Sequence, residues 1–163
     1  MKKLFVVFAL LLAFSACKKT DSDTAAYLAQ IGTDSVKIRN YLVANHIPIK
    51  KVSDTIGVYY QIIDSGTVVS SYTSSTLITV GYTAKIIPDT TIISRTDNYN
   101  PSYTLGNVIR GWQVGIPLIK KYGRIRLFVP SRYAYGSISQ TTNLMIPGGS
   151  CLDFDIRLYN VTN

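Results

Sequence analysis

Residues 103–116 read Y-T-L-G-N-V-I-R-G-W-Q-V-G-I, residues 124–136 read R-I-R-L-F-V-P-S-R-Y-A-Y-G, and residues 145–158 read M-I-P-G-G-S-C-L-D-F-D-I-R-L. Trp112 is the only tryptophan of the chain and stands where V-I-x-G-W opens a short helix. A flat indole buries apolar area without demanding strict geometry, which suits the floor of a pocket for a small apolar ring. Val108 and Ile109 precede it as apolar wall, and Gly111 lets the backbone come close. In the second block Arg124 and Arg126 alternate with Ile125 and Leu127, the pattern of a strand with one solvated face. Ala134-Tyr135-Gly136 then offers a phenol that can hydrogen-bond a carbonyl. In the third block Leu152, Phe154 and Ile156 share one strand face, with Cys151, Asp153 and Asp155 on the other. Leu152 and Ile156 read as plain core, and Cys151 as a residue of the outer face.

Working outward, strand patterns cover Ile56 to Ile63 and Thr76 to Ile87, joined through the turn residues Asp64-Ser65-Gly66. A loop runs from Pro88 to Pro101. The Trp112 helix is brief, limited by Gly115 and Pro117. Arg124 to Val129 and Cys151 to Tyr159 are the clearest strands, and Tyr135 to Gly149 between them forms a long flap. The pattern predicts an α+β domain, a half-wrapped antiparallel sheet of about five strands around one short helix. Ahead of it lies a short helical extension. Thr24 to Ile31 reads as one helix, and Asp34 as the cap of a second that carries Ile38, Tyr41 and Leu42 on one face and stops before Pro48.

The three blocks, in this order and spacing, resemble the core of FKBP-type peptidyl-prolyl cis-trans isomerases, and G-Y-T-A-K at residues 81–85 resembles that family's earlier Y-T-G strand. The resemblance extends over roughly residues 54–160. It implies a catalytic pocket formed by Tyr82, Ile109, Trp112 and Tyr135. The substrate carbonyl would be held by the backbone N–H of Ile109 and the hydroxyl of Tyr135. It further implies substrate contacts from Ile92, Tyr103, Val108, Ala134, Ile146 and Phe154. The partners implied are proline-containing polypeptides.

Such a reaction fits what the chain lacks. The imide C–N bond has partial double-bond character and a rotation barrier of ~20 kcal/mol. No bond breaks and no proton has to move, so neither nucleophile, base, metal nor cofactor is required. An apolar pocket that strips water from the imide and fits the twisted form is enough. His46 is the only histidine and lies far from Cys151 in sequence. The pair therefore suits neither thiol catalysis nor a metal site.

The chain departs from the family at one corner. The pattern after the Y-T-G strand is D-G-x-x-F-D-S, whose Phe and Asp enter the pocket. Counting from Tyr82 without a gap brings Ile92 and Ile93 to those places, which removes the aspartate. The family's P-F-x-F becomes Asn100-Pro101-Ser102-Tyr103, so Pro101 replaces one aromatic and Tyr103 keeps the other. Catalysis weaker than in a fully matching member is expected. The alternative reading is a catalytically weak module that uses the same fold to hold unfolded chains, favoured by the missing aspartate. The intact V-I-x-G-W and Y-A-Y-G blocks favour the enzyme.

The chain's first residues read as a leader. Lys2 and Lys3 precede an apolar run from Leu4 to Phe14, which is short of the ~20 residues a membrane span requires. Ser15-Ala16-Cys17 resembles a lipobox, so residues 1–17 are expected to be a signal segment ending at a lipidated Cys17. An ordinary secretory signal cut near Ala16 is the alternative. Residues 18–50 then form tether and helical extension, and 51–163 the FKBP-like domain. This organisation predicts a lipid-anchored protein of a Gram-negative cell envelope, facing the periplasm or the surface. With Cys17 lipidated, Cys151 has no intrachain partner and no disulfide framework exists. The formal charge is +8, and the nine acidic residues are all aspartate. The basic residues are scattered along the chain, so nucleic acid is not an expected partner.

Overall fold

A computed structural model of the protein describes residues 18–53, 55–141 and 145–163, with side chains described from residue 23. The proposed leader, with Cys17, lies outside the described residues. The chain divides into two compact units between Gly32 and Thr33. Helix α1 spans Lys18–Ala44. In the first unit its larger side chains Tyr27 and Leu28 are exposed.

Where two helices were expected there is one. Gly32 costs about 1 kcal/mol in a helix interior and does not remove a hydrogen bond, so it weakens the helix without ending it. Asp34 is accordingly no cap; it sits inside the helix and is 1% exposed. Just past Ala44, Asn45 donates to the Tyr41 carbonyl twice, from its backbone N–H at 3.1 Å and from its Nδ2 at 2.8 Å.

The second unit, from Thr33, is built on a six-stranded sheet. Its strands are β1 (Tyr59–Asp64), β2 (Leu77–Ile87), β3 (Ile92–Arg95), β4 (Ser102–Thr104), β5 (Arg124–Val129) and β6 (Cys151–Thr162). The order is β1-β5-β6-β2-β3, with β4 also paired to β2, and all pairings are antiparallel. The four residues of β3 fall within the stretch expected to be loop. The short edge strand carries only Ile92 and Ile93 as an apolar signal between turn residues, too little to be seen as a strand in sequence.

One face of the sheet packs on the short helix α2 (Arg110–Gly115). Trp112 and Ile116 join Ala84 of β2, Ile125, Leu127 and Val129 of β5, and Leu152, Phe154 and Ile156 of β6 in the main core. Two glycines make this docking possible. A Cβ on Gly111 would lie 2.5 Å from Val129 Cγ1, and one on Gly115 2.5 Å from Leu127 Cδ1. Either would force the helix off β5.

The opposite face is not simply solvated. Ile38, Tyr41 and Leu42 of α1, with Ile47, form a second core with Tyr59, Ile87, Phe128 and Cys151. Cys151 is therefore fully buried, not a residue of an open outer face. Completely burying side chains such as Ile38 and Leu42 stabilises by about 2 kcal/mol each. The charges of this face are arranged to suit. Arg126 Nη2 meets Asp153 Oδ2 at 2.6 Å, and the Tyr41 hydroxyl donates to the same oxygen at 3.0 Å. Further along, Arg124 grips Asp155 through two bonds of 2.8 and 2.7 Å.

Candidate functional site

Between the inner face of the sheet and α2 lies a cavity of about 310 Å³. Its wall is assembled from six places in the chain. Strand β2 contributes Tyr82 and Ala84, which share a face at a spacing of two. Strand β3 contributes Ile93 and Ser94, and β4 contributes Tyr103. Asn107, Val108 and Ile109 lead into Trp112 of α2, while Tyr135 and Phe154 complete the wall.

Trp112 is 4% exposed and is the hub of the aromatic floor. Tyr82 meets it edge-on at 5.1 Å between ring centroids, Phe154 at 5.4 Å and Tyr103 at 6.2 Å, with interplanar angles of 84°, 83° and 79°. Edge-to-face contacts of this kind lock ring orientations. Trp112 Nε1 is buried without a hydrogen-bond partner among the described residues.

The polar groups of the wall are mostly hydroxyls. Ser94 Oγ lies 3.1 Å from the Tyr82 hydroxyl. Burial pushes the Tyr103 phenol up to about 12, helped by its interaction with the Tyr82 hydroxyl. Burial also raises Tyr135, with Tyr82 adding to the shift. Both phenols therefore stay protonated through the neutral range and remain donors. At the mouth of α2 the Ile109 carbonyl accepts from the N–H groups of Trp112 and Gln113, at 2.9 and 3.2 Å. The Ile109 N–H and the Tyr135 hydroxyl have no hydrogen-bond acceptor among the described residues.

The four residues expected to be catalytic, Tyr82, Ile109, Trp112 and Tyr135, come together on this wall, as do Tyr103, Val108 and Phe154. Three other expected contacts do not. Ala134 packs on the main core, and Ile146 is 2% exposed within it, tied to Gln140 by a two-bond bridge of 2.9 and 3.0 Å. Ile92 is 46% exposed, and Ile93 takes the wall position instead.

The cause of that exchange is a β-bulge. Ala84 pairs with Ser94, but Lys85 pairs with Ile92, leaving Ile93 as an extra residue. In a regular ladder Ile93 would sit opposite Lys85, on the outer face. A bulge shifts every later residue by one and so exchanges the two faces. Ile93 and Ser94, not Ile92 and Ile93, thus form this corner. It carries a serine hydroxyl where the ungapped count left only isoleucine. Ala84 could be found from the β2 alternation and Ile93 from the count along the family pattern, whereas Ser94 and Asn107 had no signal that singled them out.

An open antiparallel sheet closed over one short helix, with an aromatic pocket and unengaged donors at its rim, defines an α+β domain with a small apolar binding pocket. Residues 68–159, more than half of the chain, match the family described as FKBP-type peptidyl-prolyl cis-trans isomerase, and the chain belongs to it. Among curated relatives, FkpA of Escherichia coli K12 is 34% identical over 112 residues, 68% of this chain and 40% of that protein. FK506-binding protein 1 of Saccharomyces cerevisiae is 35% identical over 88 residues, 52% of this chain and 75% of that protein. The crystal structure of FkpA from Escherichia coli superposes with a TM-score of 0.64 at 27% identity, covering 99% of this chain and 71% of that one. The chain thus spans well under half the length of the Escherichia coli relative in the sequence match.

Proposed function

We propose that this chain is a peptidyl-prolyl cis-trans isomerase that acts on proline-containing polypeptides and assists their folding. The observation that carries the reading is the coincidence of an aromatic-floored cavity with two unengaged donors, the Ile109 N–H and the Tyr135 hydroxyl. A proline ring placed on the Trp112 floor loses water from its imide. The two donors can then hold a carbonyl while the C–N bond twists, and the twisted form, with its conjugation broken, is less dependent on hydration. The side chains lining the wall carry no charge. That costs nothing in a reaction that moves no proton.

A protease-free isomerisation assay on a tetrapeptide with one X-Pro bond tests this. The native protein should accelerate exchange, and Trp112→Phe and Tyr135→Phe should each lower kcat/KM by about tenfold. A folded native protein that leaves the exchange rate unchanged ends the enzymatic reading. The second reading, a holder of unfolded chains, is favoured by the exposed apolar flap residues Ile138 and Met145, 72% and 82% exposed. Suppressed aggregation of an unfolded client by a protein inactive on the peptide would establish it.

We further propose export and lipid anchoring at Cys17 to a Gram-negative envelope, on the strength of the leader pattern in residues 1–17. Mass spectrometry of the mature N-terminus should find a lipid-modified cysteine, and Cys17→Ala should release the protein from the membrane fraction.

A further inference from the structure

Asp34 of α1 is 1% exposed and lies outside the pocket, yet it reaches the loop that carries Tyr135. Its Oδ2 accepts from both donors of Ser131, the backbone N–H at 2.8 Å and the hydroxyl at 2.7 Å. Ser131 is 2% exposed and opens the single helical turn Ser131–Tyr133 after β5. The Ser131 carbonyl then accepts from Ala134 N–H at 2.9 Å and from Gly136 N–H at 2.8 Å. Those two residues flank Tyr135 on either side. Gly136 takes φ 70°, a left-handed conformation that glycine adopts without steric cost, and the chain turns there.

We infer that Asp34 is a positioning residue for the pocket: from the N-terminal extension it fixes Ser131, and through Ser131 the backbone on both sides of Tyr135. The physical argument is one of geometry. Bonds to a carboxylate are shorter and stronger than neutral ones, and a buried carboxylate is costly to leave without its donors. The Ser131 turn therefore has one favoured placement relative to α1. A hydroxyl that must meet a carbonyl in a twisting imide loses effect if it wanders by even an ångström. The part of α1 from Thr33 onward is then a positioning element of the site and not only a spacer. This rests on the proposed isomerase reading for its consequence, though not for its geometry.

The test compares Asp34→Asn with Tyr41→Phe. Tyr41→Phe also cuts a tie between α1 and the sheet, its hydroxyl bond to Asp153, without touching the Ser131 turn. Three quantities are read: amide hydrogen exchange at Ala134 and Gly136, kcat and KM on the proline tetrapeptide, and the same constants in a Tyr135→Phe background. Asp34→Asn should speed exchange at both amides by about tenfold and lower kcat similarly with KM little changed. Tyr41→Phe should lower the melting temperature but move neither. Behind Tyr135→Phe, Asp34→Asn should have little further effect, the signature of two residues acting through one group. Unchanged exchange at Ala134 and Gly136, or a full loss of kcat persisting without the Tyr135 hydroxyl, overturns the inference. Should Asp34→Asn fail to fold, Ser131→Ala removes only the hydroxyl bond and answers the same question. A native protein without turnover would refute the isomerase reading alone. The exchange arm, with peptide affinity read from Trp112 fluorescence, would still decide the role of Asp34.

Discussion

Ser94 Oγ stands 3.1 Å from the hydroxyl of Tyr82, across the β2–β3 ladder and beside Trp112. At this corner, where the family pattern carries an aspartate beside the tyrosine, Ser94 supplies a neutral hydroxyl. A neutral hydrogen bond contributes about 1 kcal/mol net. Ser94→Ala should therefore lower kcat/KM on a proline peptide by about fivefold, and not abolish it. A loss of a hundredfold or more in steady-state assays would mean that Ser94 has a larger part than orienting Tyr82.

The phenols set an alkaline limit. Tyr103 is held at about 12 against an ordinary 10.0, with burial first and the Tyr82 hydroxyl second. Because the folded value is the higher, the fold favours the protonated form. That stability is fully present below pH 10.0 and is lost as pH rises through about 12. Tyr41, Tyr72 and Tyr135 are raised as well, each first by burial. Thermal unfolding followed against pH should show a melting temperature that is level near neutrality and falls steeply above pH 10.0. A steep loss already between neutrality and that point would contradict it.

The second core ties the second half of α1 to the sheet. Leu42 is fully buried against the outer face of the sheet. Leu42→Ala should cost about 2–5 kcal/mol in a denaturant titration, as large-to-small changes in a packed core do. A cost under about 0.5 kcal/mol, the range of surface changes, would show that the second half of α1 is dispensable.

Cys151 should be chemically silent while the protein is folded. It is 0% exposed, and its thiol is pushed up to about 12, first by burial and then by Asp34. The reactive thiolate is thus scarce as well as shielded. Its alkylation by a maleimide should follow the unfolding transition in denaturant. Rapid labelling of the native protein would count against the helix-covered face.

Much of this molecule was legible in its sequence, for local reasons. The alternation in Arg124–Val129 and Cys151–Tyr159 marks strands because side chains change face at every residue. Trp112 in V-I-x-G-W marks a short helix, with Gly111 beside it as a point of close backbone approach, because glycine has no Cβ to hold a neighbour off. The sequence by itself therefore determined the α+β class, the inner face, and most of the aromatic wall.

Tertiary structure decided the rest. Alternation shows that a strand has two faces but not what covers each, so the burial of Cys151 under α1 had to await the packing. Asp34 has the look of a helix cap in sequence, and only its approach to Ser131 makes it an anchor. The bulge at Ile93 exists because β3 must pair with β2 over a specific register. That pairing is a contact between separate strands, and an ungapped count along one chain has no access to it.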